Sequence, residues 1–338
     1  MSRRSAPLTA SLASIATIRT AGPVMPASLA AIVTPAPQAG PLSTPALPPS
    51  SSRAAAPVAE MTREDFWRET FPEMTICGAV QDDDDFNEIS PNRLAMVSER
   101  LRVEGYFQEA DPELVRLSGL LSLAIDRAAS LSIPPVFVFL FDEAWRVFNR
   151  QKQTLASILG DDYQVMPAFW AWRIDPQAGE AGWRPHRDLG ARGLRADGTP
   201  KLVNAWVPLT EASPANGCMY ILPANRDPVY GTADEKNWKV DYPSIRALPG
   251  KPGDWFCWNQ AVLHWGGQTS QFCHEPRMSI ALEFQRGDEP AFNKPLLGTL
   301  PNLGFEDRLK MVAKQILQFQ HMYALPQSMR DLATQIVG

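Results

Sequence analysis

The chain has 338 residues, 45% of them hydrophobic, which is enough to bury a substantial core in one large domain or two ordinary ones. A formal net charge of −5 argues against nucleic acid as the main partner. No apolar run approaches the roughly 18 residues of a membrane span, so no transmembrane segment is expected.

The four cysteines lie far apart and include no C-x-x-C pair: Cys77, Cys218, Cys257 and Cys273. They could in principle form disulfides, but such spacing is more typical of reduced, buried thiols. We therefore expect a cytoplasmic protein.

Residues 1–59 differ in composition from the rest of the chain. They are rich in Ala, Pro and Ser and contain no Asp or Glu, so they cannot bury enough apolar surface to fold alone. Four interpretations stay open: a disordered tail, a transit-like targeting segment, a weak export signal, or a true translation start at Met61. The composition favours a tail or a misplaced start, and residues 60–338 are expected to form a single domain.

The first part of that domain, residues 60–160, is predicted to be mostly helical. Ser90 followed by Pro91 is typical of a helix start, and Gly105 is typical of its end. Residues 142–159 predict a further helix. The run "PPVFVFLF" that precedes them is rich in β-formers and predicts a short strand.

From 163 to 287 the sequence changes to short strands separated by Gly, Pro and Asn turns. Five runs are strand-like in composition: "YQVMPAFWAWRID", "KLVNAWVPL", "CMYILPA", "DWFCWNQAVLHW" and "RMSIALEFQ". Five or more strands at this spacing suggest a sandwich or jelly roll. Residues 305–321 then predict an amphipathic C-terminal helix.

The stretch "PHRDLG", residues 185–190, has two interpretations. The catalytic loop of protein kinases contains the same His-Arg-Asp-Leu sequence. A kinase would also need an Asn at the position of Gly193 and an Asp-Phe-Gly motif, and this chain has neither. Mononuclear iron sites also use His-x-Asp, since two His and one carboxylate leave open positions on the metal. His186 and Asp188 have the spacing that puts both side chains on one face of a strand.

The third ligand has to be one of the remaining three histidines. His264 ends the strand-like run "DWFCWNQAVLH", whereas His274 lies in a loop and His321 lies on the C-terminal helix. His264 is therefore the best candidate. Arg277 begins the next strand, where a buried guanidinium could bind a dicarboxylate through paired hydrogen bonds.

Taken in order, these stretches resemble the phytanoyl-CoA dioxygenase family of Fe(II)/2-oxoglutarate-dependent oxygenases over about residues 61–290. "PHRD" is similar to the first iron motif of the family, and "PGDWFCWNQAVLHWGGQ" to its second histidine motif. "NAWVPLTEASPANGCMYILPANRD" is similar to the strands between them, and "RMS" to the arginine motif that holds the cosubstrate. The resemblance implies a mainly β fold with flanking helices, a double-stranded β-helix of the jelly-roll, cupin-like type.

The resemblance implies that iron is bound, and catalysis carried, by His186, Asp188 and His264. Halogenating relatives replace the carboxylate with a small residue. The intact Asp188 therefore predicts hydroxylation or a related oxidation.

The resemblance also implies a site for 2-oxoglutarate. Arg277 would hold its distal carboxylate, with Ser279 as a neighbour and Trp206 lining the pocket. One departure concerns Gly266, because family members often carry a hydroxyl group at this place, two residues after the distal histidine.

The implied reaction oxidises an aliphatic C–H bond of a small organic molecule, most simply by hydroxylation, and releases succinate and CO2 from 2-oxoglutarate and O2. Desaturation, epoxidation and cyclisation stay open, because substrate placement decides between them. A catalytically silent jelly-roll binding protein is the alternative outside the enzyme class. The arginines at 184, 187, 192 and 195 suggest either a solvated loop or a site for an anionic, CoA-linked or carrier-linked substrate.

Overall fold

The computed structural model describes residues 58–76, 88–299, 301–320 and 325–338. Nearly all of the segment 1–59 lies outside the described residues, and so do Cys77 and His321. The alternatives for that segment therefore stay predictions.

Helices lie at both ends of the described chain and strands lie between them. The helices are α1 Glu64–Thr70, α2 Pro91–Glu104, α3 Leu114–Ser130, α4 Asp142–Asn149, α5 Lys152–Leu159, α6 Phe305–Phe319 and α7 Gln327–Val337. The strands are β1 Tyr106–Ala110, β2 Gln164–Ile174, β3 Leu202–Pro208, β4 Met219–Leu222, β5 Arg246–Leu248, β6 Asp254–Asn259, β7 Leu263–Gly266 and β8 Arg277–Gln285. No helix in the described ranges combines the length and apolar character needed to cross a membrane.

The ends of α2 follow the predicted signals. The Ser90 hydroxyl accepts a hydrogen bond from the backbone N–H of Arg93, and Pro91 opens the helix. Gly105 ends it in the left-handed region, with a φ of 79° that favours glycine.

Two predictions for the helical part were wrong. The run "PPVFVFLF" forms a 3-10 helix, Pro135–Leu140, instead of a strand. Its side chains from Val136 to Phe141 are all buried, and a run buried on every side has no periodicity that separates helix from strand. The helix predicted for 142–159 is two helices, α4 and α5, with a break at 150–151.

The strands form two antiparallel sheets, as the jelly-roll prediction requires. The larger sheet has the order β1-β6-β3-β8-β2, and the smaller has the order β5-β4-β7. Strand β5 and helix α7 were not predicted from the sequence.

Side chains alternate between the two faces of the larger sheet. On β8, the residues Met278, Ile280, Leu282 and Phe284 pack into the apolar core shared with the helices. The intervening residues, Arg277, Ser279, Ala281 and Glu283, therefore lie on the opposite face. That second face is where polar side chains collect.

The run "DWFCWNQAVLHW" was predicted as one strand and is two strands in different sheets. Strand β6 belongs to the larger sheet and β7 to the smaller one. The connection at Gln260–Val262 carries the chain from one sheet to the other, and it brings His264 to the smaller sheet. Cys218 and Cys257 are buried free thiols, and Cys273 is a partly exposed one.

Candidate metal centre

His186 lies in the long connection between β2 and β3, and its backbone pairs with that of His264 on β7. The N–H of each histidine donates to the carbonyl of the other, and both N–O distances are 3.0 Å. His186 and Asp188 were expected on a strand, but at His186 the structure has only this single bridge. It still makes the local chain extended, so Asp188 projects to the same side as His186.

The three predicted ligands converge on one point. Ligand atoms of His186, Asp188 and His264 all lie within 4.8 Å of one another. Nε2 of His186 is 3.3 Å from Oδ1 of Asp188, and Nε2 of His264 is 3.7 Å from Oδ2. Two imidazoles and one carboxylate at these distances can hold a divalent cation.

Hydrogen bonds to the backbone orient both imidazoles. Nδ1 of His186 is 2.7 Å from the carbonyl oxygen of Arg184, and Nδ1 of His264 is 3.2 Å from that of Val262. A carbonyl can only accept, so each Nδ1 carries the proton and each Nε2 presents a lone pair to the centre. Metal-binding histidines are oriented in this way.

A chain of amides holds the carboxylate. Nδ2 of Asn204 donates to Oδ2 of Asp188 at 2.8 Å, and Nε2 of Gln260 donates to Oδ1 of Asn204 at 2.9 Å. The same Gln260 nitrogen donates to Oε2 of Glu283, also at 2.9 Å. The orientation of Asp188 is therefore set by residues of β3, β8 and the β6–β7 connection.

The protonation states suit a cation. Burial opposes ionisation of Asp188, but His264, His186 and Asn204 outweigh it and lower its pKa. Burial lowers the pKa of His264 to about 4, against the opposing charge of Asp188. Burial also acts to lower the pKa of His186, but the Asp188 carboxylate, whose Oδ1 lies 3.3 Å from Nε2 of His186, raises it overall.

The residues present fit a bound metal ion. The buried Nε2 of His186 has no hydrogen-bond partner among the described residues, which is costly for a polar atom unless a ligand fills the place. With Asp188 ionised and His264 neutral, the donors match the nitrogen and oxygen set that Fe(II) accepts.

Arg277 lies on the same side of β8 as the centre, at the start of the strand. Its side chain is 1% exposed, and Nη1 donates to Oγ of Ser279 at 2.7 Å. Its Cζ lies 5.7 Å from the centroid of the Trp206 ring. The three residues predicted for the cosubstrate are therefore neighbours.

A cavity of about 350 Å³ connects the metal centre with Arg277. Seven of the lining residues are tryptophan or phenylalanine, and such aromatic surface suits chemistry that must exclude water. The residues that line it include Phe169, Trp172, Trp183, His186, Asp188, Asn204, Trp206, Trp258, Gln260, His264, Arg277, Glu283 and Phe319.

The comparison with protein families agrees with this geometry. The family described as Phytanoyl-CoA dioxygenase (PhyH) matches residues 124–278, a range that contains all three converging ligands and Arg277. The chain carries a phytanoyl-CoA dioxygenase domain. The predicted family and the predicted enzyme class, a non-haem oxygenase that uses iron and 2-oxoglutarate, are thereby confirmed. The ligand and cosubstrate roles of individual residues stay predictions.

Several solved structures are similar to this chain. A nickel complex of the non-haem monooxygenase ThoJ is 16% identical, with a TM-score of 0.50 over 70% of this chain and 99% of that one. The non-haem α-ketoglutarate-dependent epimerase SnoN is 19% identical over 58% and 82%, with a TM-score of 0.44. EctD from S. alaskensis with bound Fe is 17% identical over 62% and 80%, with a TM-score of 0.42. The comparison with curated proteins found no match.

The departure of this domain at Gly266 has a steric cause. A Cβ on Gly266 would overlap the Cα of Gly182, because the two backbones touch next to the metal centre. No hydroxyl-bearing side chain fits there. The hydrogen bond expected at this place in the family is therefore missing from the described site.

The arginines after the first motif do not form a common surface. Arg187 is buried and pairs with Asp227, and it also donates to the carbonyl oxygen of Ala261. Arg195 pairs with Asp288 and Glu289. The prediction of a solvated loop was wrong for Arg187, whose charge is already matched inside the protein.

Sequence reasoning missed Asn204, Gln260 and Glu283 at this site. A signal for Glu283 was present, because it continues the two-residue spacing that starts at Arg277 and Ser279. Those positions share one face of an otherwise apolar strand. No comparable signal marked Gln260, whose place depends on the crossing between sheets.

Proposed function

We propose that this protein is an Fe(II)/2-oxoglutarate-dependent dioxygenase that oxidises, by hydroxylation, an aliphatic C–H bond of a small molecule. The observation that carries the proposal is the convergence of His186, Asp188 and His264 in one cavity with Arg277. The overall change converts R–H, 2-oxoglutarate and O2 into R–OH, succinate and CO2.

His186, Asp188 and His264 would hold the iron. Bound iron, together with 2-oxoglutarate and O2, supplies the oxidant for the C–H bond. Two neutral imidazoles and one carboxylate leave the remaining coordination positions to other ligands. Asn204 keeps the Asp188 carboxylate in one orientation through its 2.8 Å hydrogen bond.

Arg277 would bind the distal carboxylate of 2-oxoglutarate. Its guanidinium is buried, lies beside Ser279 and Trp206, and has the planar donor geometry that pairs with a carboxylate. Ser279 holds the guanidinium in position by accepting a hydrogen bond. The aromatic walls of the cavity exclude water from the reacting atoms.

The test is an anaerobic titration of the metal-free protein with Fe(II) and 2-oxoglutarate. The wild type should develop a weak visible charge-transfer band and should release succinate when O2 is admitted with a metabolite library. His186→Ala should lose both signals and keep its circular dichroism spectrum. His274→Ala, an exposed histidine outside the cavity, is the matched control and should behave as the wild type. A wild type without the band would refute the proposal and favour a silent binding protein.

A further inference from the structure

The cavity contains a carboxylate that the proposed chemistry does not use. Glu283 lies on β8, on the same face as Arg277 and six residues further along, which separates their Cα atoms by about 20 Å. It is the cross-strand partner of Asn204, the residue that holds Asp188. Glu283 therefore lies at the metal end of the cavity, away from the predicted 2-oxoglutarate site.

Among the described residues, one side chain donates a hydrogen bond to Glu283. Its Oε2 accepts from Gln260, and its Oε1 accepts no hydrogen bond from any described residue. It forms no ion pair with any lysine, arginine or histidine in the described ranges. The two arginines that line the cavity are engaged elsewhere, Arg187 by Asp227 and Arg277 at the far end beside Ser279.

Glu283 is partly exposed, and its side chain lines the cavity. Burial, reinforced by the charge of Asp188, raises the pKa of Glu283 to about 8. A ligand that places a cation beside Glu283 would favour the ionised form of this carboxyl group.

Aromatic side chains complete the surroundings of Glu283. Trp258 on β6, Asn204 on β3 and Glu283 on β8 form one row across three adjacent strands. Trp183 and Phe319 line other parts of the wall, and their ring centroids are 5.3 Å apart. Aromatic faces attract cations and also cover an apolar body.

We propose that Glu283 is the substrate-binding carboxylate of this cavity, and that the substrate is a small amine with a protonated amino group on an apolar body. The inference rests on the proposed function, because it assigns the substrate of the same site. The ammonium group would donate to Oε1 of Glu283 and hold a neighbouring C–H bond at the metal end of the cavity. The selection of substrates would then depend on charge as well as on shape.

The test compares two probes of nearly the same size, hexylammonium and 1-hexanol, on the full-length protein loaded with Ni(II) and 2-oxoglutarate. Binding is followed by tryptophan fluorescence and by ligand-observed NMR. The wild type should bind hexylammonium about tenfold to a hundredfold more tightly than hexanol. Glu283→Gln should lose most of that preference while its affinity for hexanol changes by less than about twofold. Glu306→Gln removes the same charge from an exposed position and should match the wild type.

Equal binding of the two probes to the wild type overturns the inference, and this comparison does not depend on any variant folding. A preference that survives in Glu283→Gln overturns it as well. The anaerobic Fe(II)/2-oxoglutarate band separates the two proposals. If the band forms and the preference is absent, the assignment of Glu283 fails alone. If the band does not form, the proposed function fails.

Discussion

Replacing Glu283 by glutamine should change the pH dependence of stability in the metal-free protein. The raised pKa means that the native state keeps this carboxyl protonated at pH values where the unfolded chain has already lost the proton. Wild-type stability therefore falls as the pH rises between the two pKa values. Glutamine has nearly the same shape, keeps the contact with Gln260 and cannot ionise.

The size of the effect follows from the two pKa values. A carboxyl whose pKa is 4.5 when unfolded and about 8 when folded lowers the free energy of unfolding by about 1.4 kcal/mol per pH unit between them. The full difference approaches about 5 kcal/mol. Relaxation of the cavity and entry of water will reduce it, so we expect Glu283→Gln to gain about 2–4 kcal/mol over the wild type from pH 5 to pH 9.

The assay is urea unfolding of chelator-treated protein at half-unit steps from pH 5 to pH 9, monitored by circular dichroism. The free energy of Glu283→Gln relative to wild type should rise with pH and level off above about pH 8. Glu306→Gln should give a flat difference, because its carboxylate is exposed. A flat or falling difference for Glu283→Gln would show that Glu283 ionises freely in the folded protein.

Three further predictions concern the rest of the site. Arg277→Met should weaken 2-oxoglutarate binding about 30-fold or more and leave Ni(II) affinity unchanged in calorimetry; an equal loss of both would contradict the assignment. Gly266→Ala should lower the free energy of unfolding, measured in urea, by about 1–3 kcal/mol. Gly119→Ala is the control, because this helix position has open space around it, and it should not lower that free energy. An unchanged stability of Gly266→Ala would refute the close packing. Because the pKa of His186 is raised and that of His264 is lowered to about 4, metal binding between pH 5 and 6 should release about one proton. Calorimetry in buffers of different ionisation enthalpy checks this value, and release of two protons would contradict it.

The convergence of His186, Asp188 and His264 was predictable in part because two of these residues are local in sequence. His186 and Asp188 are two residues apart, and extended chain puts such a pair on one side whether or not a regular strand forms. With four histidines in the chain, the search for a third ligand was short. That His264 lies beside this pair is decided by a single backbone bridge between two distant segments.

The positions of Asn204, Gln260 and Glu283 around Asp188 were not predictable in the same way. Asn204 and Glu283 meet because β3 and β8 pair in one particular register, and Gln260 reaches both from the turn between sheets. A shift of one residue in that register would move Glu283 into the apolar core. Strand composition carries no information about which register is adopted.

Local patterns in the sequence therefore determined the alternation of faces along each strand, the caps of α2 and the projection of His186 and Asp188 to one side of the chain. These features depend on contacts within a few residues. The order of strands, the split of "DWFCWNQAVLHW" between two sheets and the helical form of "PPVFVFLF" were decided only by tertiary packing. They depend on which distant surfaces bury one another, and short stretches of sequence do not encode that choice.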